Sequence, residues 1–85
     1  MRLVWDERAW EEYIYWQETD KQVLKKLNLL LKDIKRNLYE GIGKPEPLKG
    51  DWAGWWSRRI DSENRIIYKG LNENIIIAVC KGHYN

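Results

Sequence analysis

Apolar residues recur at steps of three and four through the first half of the chain, which is the spacing of helices that bury one face. A first segment begins after Asp6, which suits an N-cap, and its periodic positions are Trp10, Tyr13, Ile14 and Gln17. The stretch "QETD" interrupts this pattern, and either Thr19 or Asp20 caps the next helix. That helix spans about four turns and ends near Arg36, and its apolar stripe consists of Val23, Leu24, Leu27, Leu30, Leu31 and Ile34. The short break predicts that the two helices pack as a hairpin.

Strand-like patterns follow a loop in the second half of the chain. The segment "NLYEGIGKPEPLKG", which starts at Asn37, holds two prolines and three glycines and predicts this loop. Turn signals in "DSEN" and "GLNEN" separate three strand-like runs, which are Trp52–Ile60, Glu63–Lys69 and Ile75–Cys80. Arg2–Trp5 predicts a further short strand that can join an edge of the sheet. The sequence thus predicts one α+β domain over residues 1–85, with two N-terminal helices packed on one face of a twisted, mainly antiparallel sheet.

Composition indicates a small globular protein with an aromatic core. The 85 residues include six Trp and five Tyr but no Phe, and large rings bury much area per residue. We expect Trp5, Trp10 and Trp16 in the core, together with one of the adjacent Trp55 and Trp56, because neighbours in a strand face opposite ways. The other member of that pair would be exposed, either for dimer contact, which we favour, or for base stacking.

Cysteine content and hydropathy point to the cytoplasm. Cys80 is the only cysteine, so an internal disulfide is excluded, and its apolar surroundings predict a thiol that behaves as a small hydrophobe. No apolar run reaches the roughly 18 residues of a membrane span, and the N-terminus lacks the apolar stretch of a signal peptide. We therefore expect a cytoplasmic protein with no membrane partner.

Charge is distributed unevenly along the chain. Residues 1–20 hold two basic and six acidic groups (net −4), so residues 21–85, with thirteen basic and seven acidic groups, carry +6. Positive charge over most of a small domain suits a polyanion such as nucleic acid. The lysines of the second helix are better explained as its solvated face.

Candidate chemistry begins with a glutamate in the loop. Glu46 lies between Pro45 and Pro47, close to Lys44 and Lys49. A carboxylate on a rigid backbone is a reasonable general base, although an ordinary surface glutamate is the alternative. Metal chemistry is poorly supported, because one His and one Cys do not supply the three protein ligands of a typical zinc site. Ser57 lacks the turn signature of a nucleophile, and we interpret it as structural.

Arginines on neighbouring strands form a second candidate group. A three-residue loop at Ser62–Asn64 would bring Arg59 alongside Arg65, whereas a two- or four-residue loop would bring Arg58 there. In either register two guanidiniums meet, and an anion such as phosphate would bridge them. A base, paired cations and the terminal His83 and Tyr84 are the groups that metal-free RNA cleavage needs, with the ribose 2′-OH as nucleophile.

Several separated segments carry a family resemblance, namely "WQETDK", "GKPEPLKG", "WWSRRI", "ENRIIY" and the terminal "HY". They resemble the YoeB/Txe family within the RelE/ParE toxin superfamily, whose fold is RelE-like and similar to that of microbial ribonucleases. The resemblance implies the toxin of a type II toxin–antitoxin pair, a cofactor-free endoribonuclease that cuts mRNA in the A site of the 70S ribosome. It also implies a homodimer, a YefM/Axe-like antitoxin that covers the active site, and operator DNA binding only through the antitoxin complex.

The resemblance also implies roles for individual residues. Glu46 corresponds to the general base, Arg65 to the phosphate-stabilising arginine and His83 to the general acid. Positions that hold RNA correspond to Lys49, Arg59 and Tyr84, and the charge pattern adds Lys44 and Arg58 as phosphate-binding candidates. Ile75–Cys80 would then be an inner strand that fixes the terminal His-Tyr pair.

Three departures from the family pattern lie at the C-terminus: Lys81 where arginine is frequent, Gly82 where a bulkier residue is common, and the extra Asn85. These departures affect how rigidly the chain holds His83 in position. Two other functions stay open, which are a same-fold toxin that inhibits another target such as gyrase, and a non-catalytic nucleic-acid-binding module.

Overall fold

The computed structural model describes residues 1–82, which form two helices, five strands and one short 3₁₀ turn. Strand β1 (Arg2–Trp5) precedes helices α1 (Glu7–Thr19) and α2 (Lys21–Arg36). The other elements are β2 (Glu46–Pro47), the 3₁₀ turn Gly50–Trp52, β3 (Trp56–Arg59), β4 (Arg65–Leu71) and β5 (Asn74–Val79). Within this part of the chain, neither helix combines the length and apolar character that crossing a membrane requires.

The strands form one mixed sheet in the order β1-β5-β4-β3-β2. Strand β1 runs parallel to β5, and the other neighbouring pairs are antiparallel. This confirms the predicted α+β class, with a strand at Arg2–Trp5 on an edge and an inner strand, Asn74–Val79, that overlaps the predicted Ile75–Cys80. Strand β2 was not predicted, because its two residues lie inside the proline-rich loop and are too few to show alternation.

The junction between the helices follows the predicted break. The Asp20 carboxylate caps α2 by accepting hydrogen bonds from the backbone N–H groups of Gln22 and Val23, both at 3.1 Å. Thr19, the other capping candidate, instead donates its hydroxyl to the Tyr15 carbonyl at 2.7 Å. Asp6 is the N-cap residue of α1, but its side chain makes no capping hydrogen bond.

Apolar side chains form one cluster on each side of the sheet. The larger cluster lies between the sheet and the two helices, and its fully buried members include Leu27, Leu30, Ile34, Ile66, Tyr68, Ile75 and Ile77. The smaller cluster lies on the opposite side and contains Leu48, Ile67, Ala78 and Val79, with Trp52 and Trp55 packed against it. A helix layer therefore covers one face, and only a small aromatic patch covers part of the other.

The tryptophans depart from the predicted core. Trp16 is buried and donates its indole N–H to the Cys80 carbonyl at 2.9 Å, but Trp10 is 46% exposed, so its predicted burial is wrong. Trp10 stacks on Tyr13 beside the half-buried Trp5, at the rim next to the edge strand, where no further element of the described chain covers it. Trp55 and Trp56 face opposite sides as expected, but both are half-buried.

Cys80 has the predicted buried position. Its thiol donates to the Ala9 carbonyl at 3.4 Å, and burial raises the pKa of Cys80 to about 12. The thiol therefore stays protonated at neutral pH and packs as a small apolar group.

Candidate active site

The candidate site lies on the sheet face opposite the helices, which we call the open face. Ile66 and Tyr68 of β4 are buried against the helices, whereas Ile67 between them belongs to the smaller cluster on the other side. Paired residues on neighbouring antiparallel strands share a face. Arg59 therefore shares the open face with its partner Arg65, and Glu46 with its partner Ser57.

The register of β3 and β4 resolves the alternative that the sequence left open. Arg59 stands directly opposite Arg65, so their Cβ atoms are about 5 Å apart. The turn is held by Asp61, whose Oδ1 accepts from the backbone N–H groups of Glu63 at 2.8 Å and Asn64 at 2.7 Å. Within residues 1–82 neither guanidinium has a carboxylate partner. Two guanidiniums that form no ion pair within the described residues therefore share the open face, an arrangement that suits an anion site.

Arg58 is not a phosphate-binding residue in this structure, which corrects the expectation drawn from its charge. Its side chain is fully buried on the helix side, because residue 58 pairs with Ile66. Nε donates to the Tyr68 hydroxyl at 3.0 Å, and Nη1 donates to Asp33 Oδ2 at 2.6 Å. The other acceptors are backbone carbonyls of the loop after α2, namely those of Asn37, Glu40 and Ile42.

Asp33 and Tyr68 complete a buried polar network that sequence reasoning missed. Hydrogen bonds from Arg36, the Ile42 backbone N–H and Arg58 lower the pKa of Asp33 from its ordinary 3.8 to about 2. Burial raises the pKa of Tyr68, whose hydroxyl donates to the Leu38 carbonyl at 2.7 Å. The network ties the loop after α2 to β3, and no signal in the helical pattern distinguishes Asp33 from a solvated residue.

Glu46 and its neighbouring lysines lie at the outer edge of the sheet. Glu46 is exposed on β2, and its backbone pairs with Ser57. Lys44 is exposed and has a φ of 54°, a left-handed conformation that only a minority of non-glycine residues adopt. Lys44 and Arg59 line one shallow depression, and Lys49 is exposed at the start of the 3₁₀ turn. The proposed base is thus flanked by cationic side chains.

The C-terminal segment is attached beside Arg65. Gly82, the last described residue, accepts a backbone hydrogen bond from Arg65 N–H at 3.0 Å. Its own N–H donates to the Asn64 side-chain oxygen at 2.7 Å. The predictions for His83 and Tyr84 fall outside the described residues. The structure shows that the chain is held next to Arg65 up to Gly82, the residue that precedes His83.

Two helices on one side of a five-stranded mixed sheet are the fold of the RelE-like toxins. A solved YoeB/ParE toxin from Agrobacterium tumefaciens has this fold, with a TM-score of 0.94 and 45% sequence identity over 99% of this chain and 100% of that chain. The family described as the YoeB-like toxin of bacterial type II toxin-antitoxin systems matches residues 5–84. The chain belongs to this family.

Individual relatives agree with this assignment over their full length. Toxin YoeB of Escherichia coli strain K12 is 51% identical over 84 residues, which cover 99% of this chain and 100% of that protein. A YoeB-YefM complex from Staphylococcus aureus contains a chain with a TM-score of 0.91 and 46% identity, covering 99% of this chain and 98% of that one. A YoeB dimer from the same organism gives a TM-score of 0.90 and 48% identity at the same coverage.

Proposed function

We propose that this protein is a ribosome-dependent endoribonuclease that cuts mRNA in the ribosomal A site and thereby inhibits translation. The observation that carries the proposal is the common position of Glu46, Arg59 and Arg65 on the open face. A carboxylate and two guanidiniums without carboxylate partners in residues 1–82 match the demands of phosphodiester cleavage, in which a proton is removed while negative charge builds on phosphorus.

The proposed reaction uses the ribose of the RNA as nucleophile. Glu46 takes the proton of the 2′-OH, the 2′-oxygen forms a bond to phosphorus, and the bond from phosphorus to the 5′-oxygen breaks. Arg65 stabilises the negative charge on the phosphoryl oxygens, and His83 donates the proton to the leaving 5′-oxygen. The products are a 2′,3′-cyclic phosphate and a free 5′-hydroxyl, and the balance of protons requires no cofactor.

The spacing of residues along β3 supports separate roles for the base and for the phosphate-binding arginines. Glu46 on β2 pairs with Ser57 on β3. Arg59 lies two residues beyond Ser57 on the same strand, so these two β3 residues are about 7 Å apart. That offset separates a base acting on the ribose from cations acting on the adjacent phosphate. Lys44, Lys49 and Arg59 are exposed around this position and would hold phosphates of the RNA, and Tyr84 would pack against the substrate near the acid. Arg58 has no direct role, since all its hydrogen bonds are internal.

The proposed partners follow from the family. We expect a YefM-like antitoxin that neutralises the toxin, as the YoeB-YefM complex of Staphylococcus aureus suggests, and a homodimer like the YoeB dimer of that organism. We also expect the 70S ribosome and its mRNA as targets in the cytoplasm, with operator DNA bound only through the antitoxin complex. The positive charge of residues 21–85 suits both ribosomal RNA and an acidic antitoxin segment.

A translation reaction programmed with a defined mRNA tests the proposal. Cleavage is mapped by primer extension for the parent, Glu46→Ala and His83→Gln, with Glu18→Ala on the exposed surface of α1 as the matched control. We expect one A-site cut by the parent and the control, and a loss of at least about 100-fold in both site variants.

Two results would contradict the proposal. Intact message with the parent protein would favour a toxin directed at another target, such as gyrase, which a supercoiling assay would then detect. Equal cleavage by the parent and His83→Gln would contradict the acid–base mechanism.

A further inference from the structure

Ser57 is a buried polar residue for which neither the fold nor the mechanism above gives a use. Its side chain has no solvent exposure. Within residues 1–82 its hydroxyl oxygen has no hydrogen-bond partner, and no other buried side-chain nitrogen or oxygen of that range shares this property. A buried hydroxyl without a partner destabilises the fold, since it loses its hydrogen bonds to water and gains none in return.

The neighbours of Ser57 indicate which group its hydroxyl can reach. Ser57 lies on the open face, opposite Glu46 on β2 and opposite Ile67 on β4. Ile67 offers no polar side-chain atom. Directly paired residues on antiparallel strands have Cβ atoms about 5 Å apart, so a glutamate side chain can bring its carboxylate to a serine hydroxyl across the pair. No hydrogen bond or ion pair within residues 1–82 holds the Glu46 carboxylate in another position.

We propose that Ser57 is a positioning residue whose hydroxyl donates a hydrogen bond to the Glu46 carboxylate when RNA occupies the open face. This inference rests on the proposed function, in which Glu46 is the general base. One carboxylate oxygen would be held by Ser57, which leaves the other oxygen aimed at the ribose 2′-OH. Hydrogen bonds of this kind are often unmade in the free enzyme and tighten in the reacting complex.

Direct contact between Ser57 and RNA is disfavoured by burial. With no exposed surface, the hydroxyl cannot be approached by a nucleotide from solvent, whereas the side chain of Glu46 starts from the residue that pairs with Ser57. The unmet hydrogen bond in the free protein then has an explanation, because its partner takes up position only when substrate is present.

Ser57→Ala separates this role from a packing role, because the substitution keeps the size and removes the hydroxyl. We expect a single-turnover cleavage rate on programmed ribosomes about tenfold lower, with the toxin concentration at half-saturation unchanged. The melting temperature should stay the same or rise, since an unsatisfied buried group is removed. Ser57→Thr, which restores a hydroxyl, should recover most of the rate, and Ser62→Ala in the exposed β3–β4 turn is the matched control.

A double-mutant cycle with Glu46→Gln completes the test. If Ser57 acts through Glu46, Ser57→Ala lowers the rate much less in the Glu46→Gln background than in the parent. Parental rates for Ser57→Ala, or an equal loss in both backgrounds, would overturn the inference while leaving the nuclease proposal intact. Absence of cleavage by the parent protein would instead count against the nuclease proposal itself.

Discussion

The Nη1 atom of Arg58 lies 2.6 Å from Oδ2 of Asp33, which joins the middle of β3 to the last turns of α2. The same carboxylate oxygen accepts the backbone N–H of Ile42 at 2.9 Å. One ion pair therefore fastens the helix, the following loop and the sheet together. That loop continues into β2, which carries Glu46.

Adjacent arginines in β3 provide a matched pair for testing this arrangement. Arg58→Lys should lower the free energy of unfolding by about 3 kcal/mol, because an ammonium group cannot replace the five hydrogen bonds of the buried guanidinium. Arg59→Lys, one residue away on the exposed side, should change it by less than about 0.5 kcal/mol. Urea unfolding measures both values, and equal stabilities for the two variants would contradict the structural role of Arg58.

The low pKa of Asp33 predicts a specific loss of stability in acid. Its folded-state pKa of about 2 lies below the ordinary 3.8, so ionised Asp33 stabilises the fold above about pH 4. That stabilisation is lost as the pH falls from about 4 towards 2. Urea midpoints of the parent should therefore exceed those of Asp33→Asn at pH 5, with a difference that shrinks steadily towards pH 2. A constant difference across this range would show that ionisation of Asp33 is not involved.

The sequence predicted the elements whose pattern depends on local spacing. The apolar stripe of α2 repeats every three or four residues, and the inner strand β5 is apolar from Ile75 to its end, so both were found near their observed bounds. The position of Arg58 was not predictable in the same way. Alternation puts Arg58 and Arg59 on opposite faces, but the choice of face depends on a turn whose length is fixed by hydrogen bonds to Asp61.

Trp10 illustrates a second limit of sequence reasoning. Its spacing in α1 is that of a core residue, and periodicity alone cannot reveal that the sheet ends at β1 and leaves this part of the helix without a cover in the described chain.

Ser57 illustrates a third limit of sequence reasoning. A serine between bulky strand residues gave no sign of function, because the missing hydrogen bond and the cross-strand position of Glu46 exist only in the folded protein.

Arg65 should affect cleavage far more than folding. Arg65→Lys keeps the charge but loses the planar fork that contacts two phosphoryl oxygens, so we expect a cleavage rate on the ribosome lower by about 100-fold. Its melting temperature should stay within a few degrees of the parent, because the side chain is half-buried and has no carboxylate partner in residues 1–82. Arg2→Lys in the edge strand is the control for the same chemical change. A parental rate for Arg65→Lys would remove the arginine from the proposed phosphate site.

Asn64 should control the reaction through the C-terminal segment. Its side-chain oxygen accepts the Gly82 N–H at 2.7 Å, and its amide donates to Asp61 at 3.1 and 3.2 Å. Asn64→Ala removes both links and, within residues 1–82, leaves Gly82 attached only through its carbonyl to the Arg65 N–H, so the single-turnover cleavage rate should fall by about tenfold, because His83 directly follows this less firmly held segment. If Asn64 acts through His83, Asn64→Ala should cause little further loss in a His83→Gln background. Ser62→Ala, in the same turn, should cleave at the parental rate, and a parental rate for Asn64→Ala as well would mean that this attachment does not position the acid.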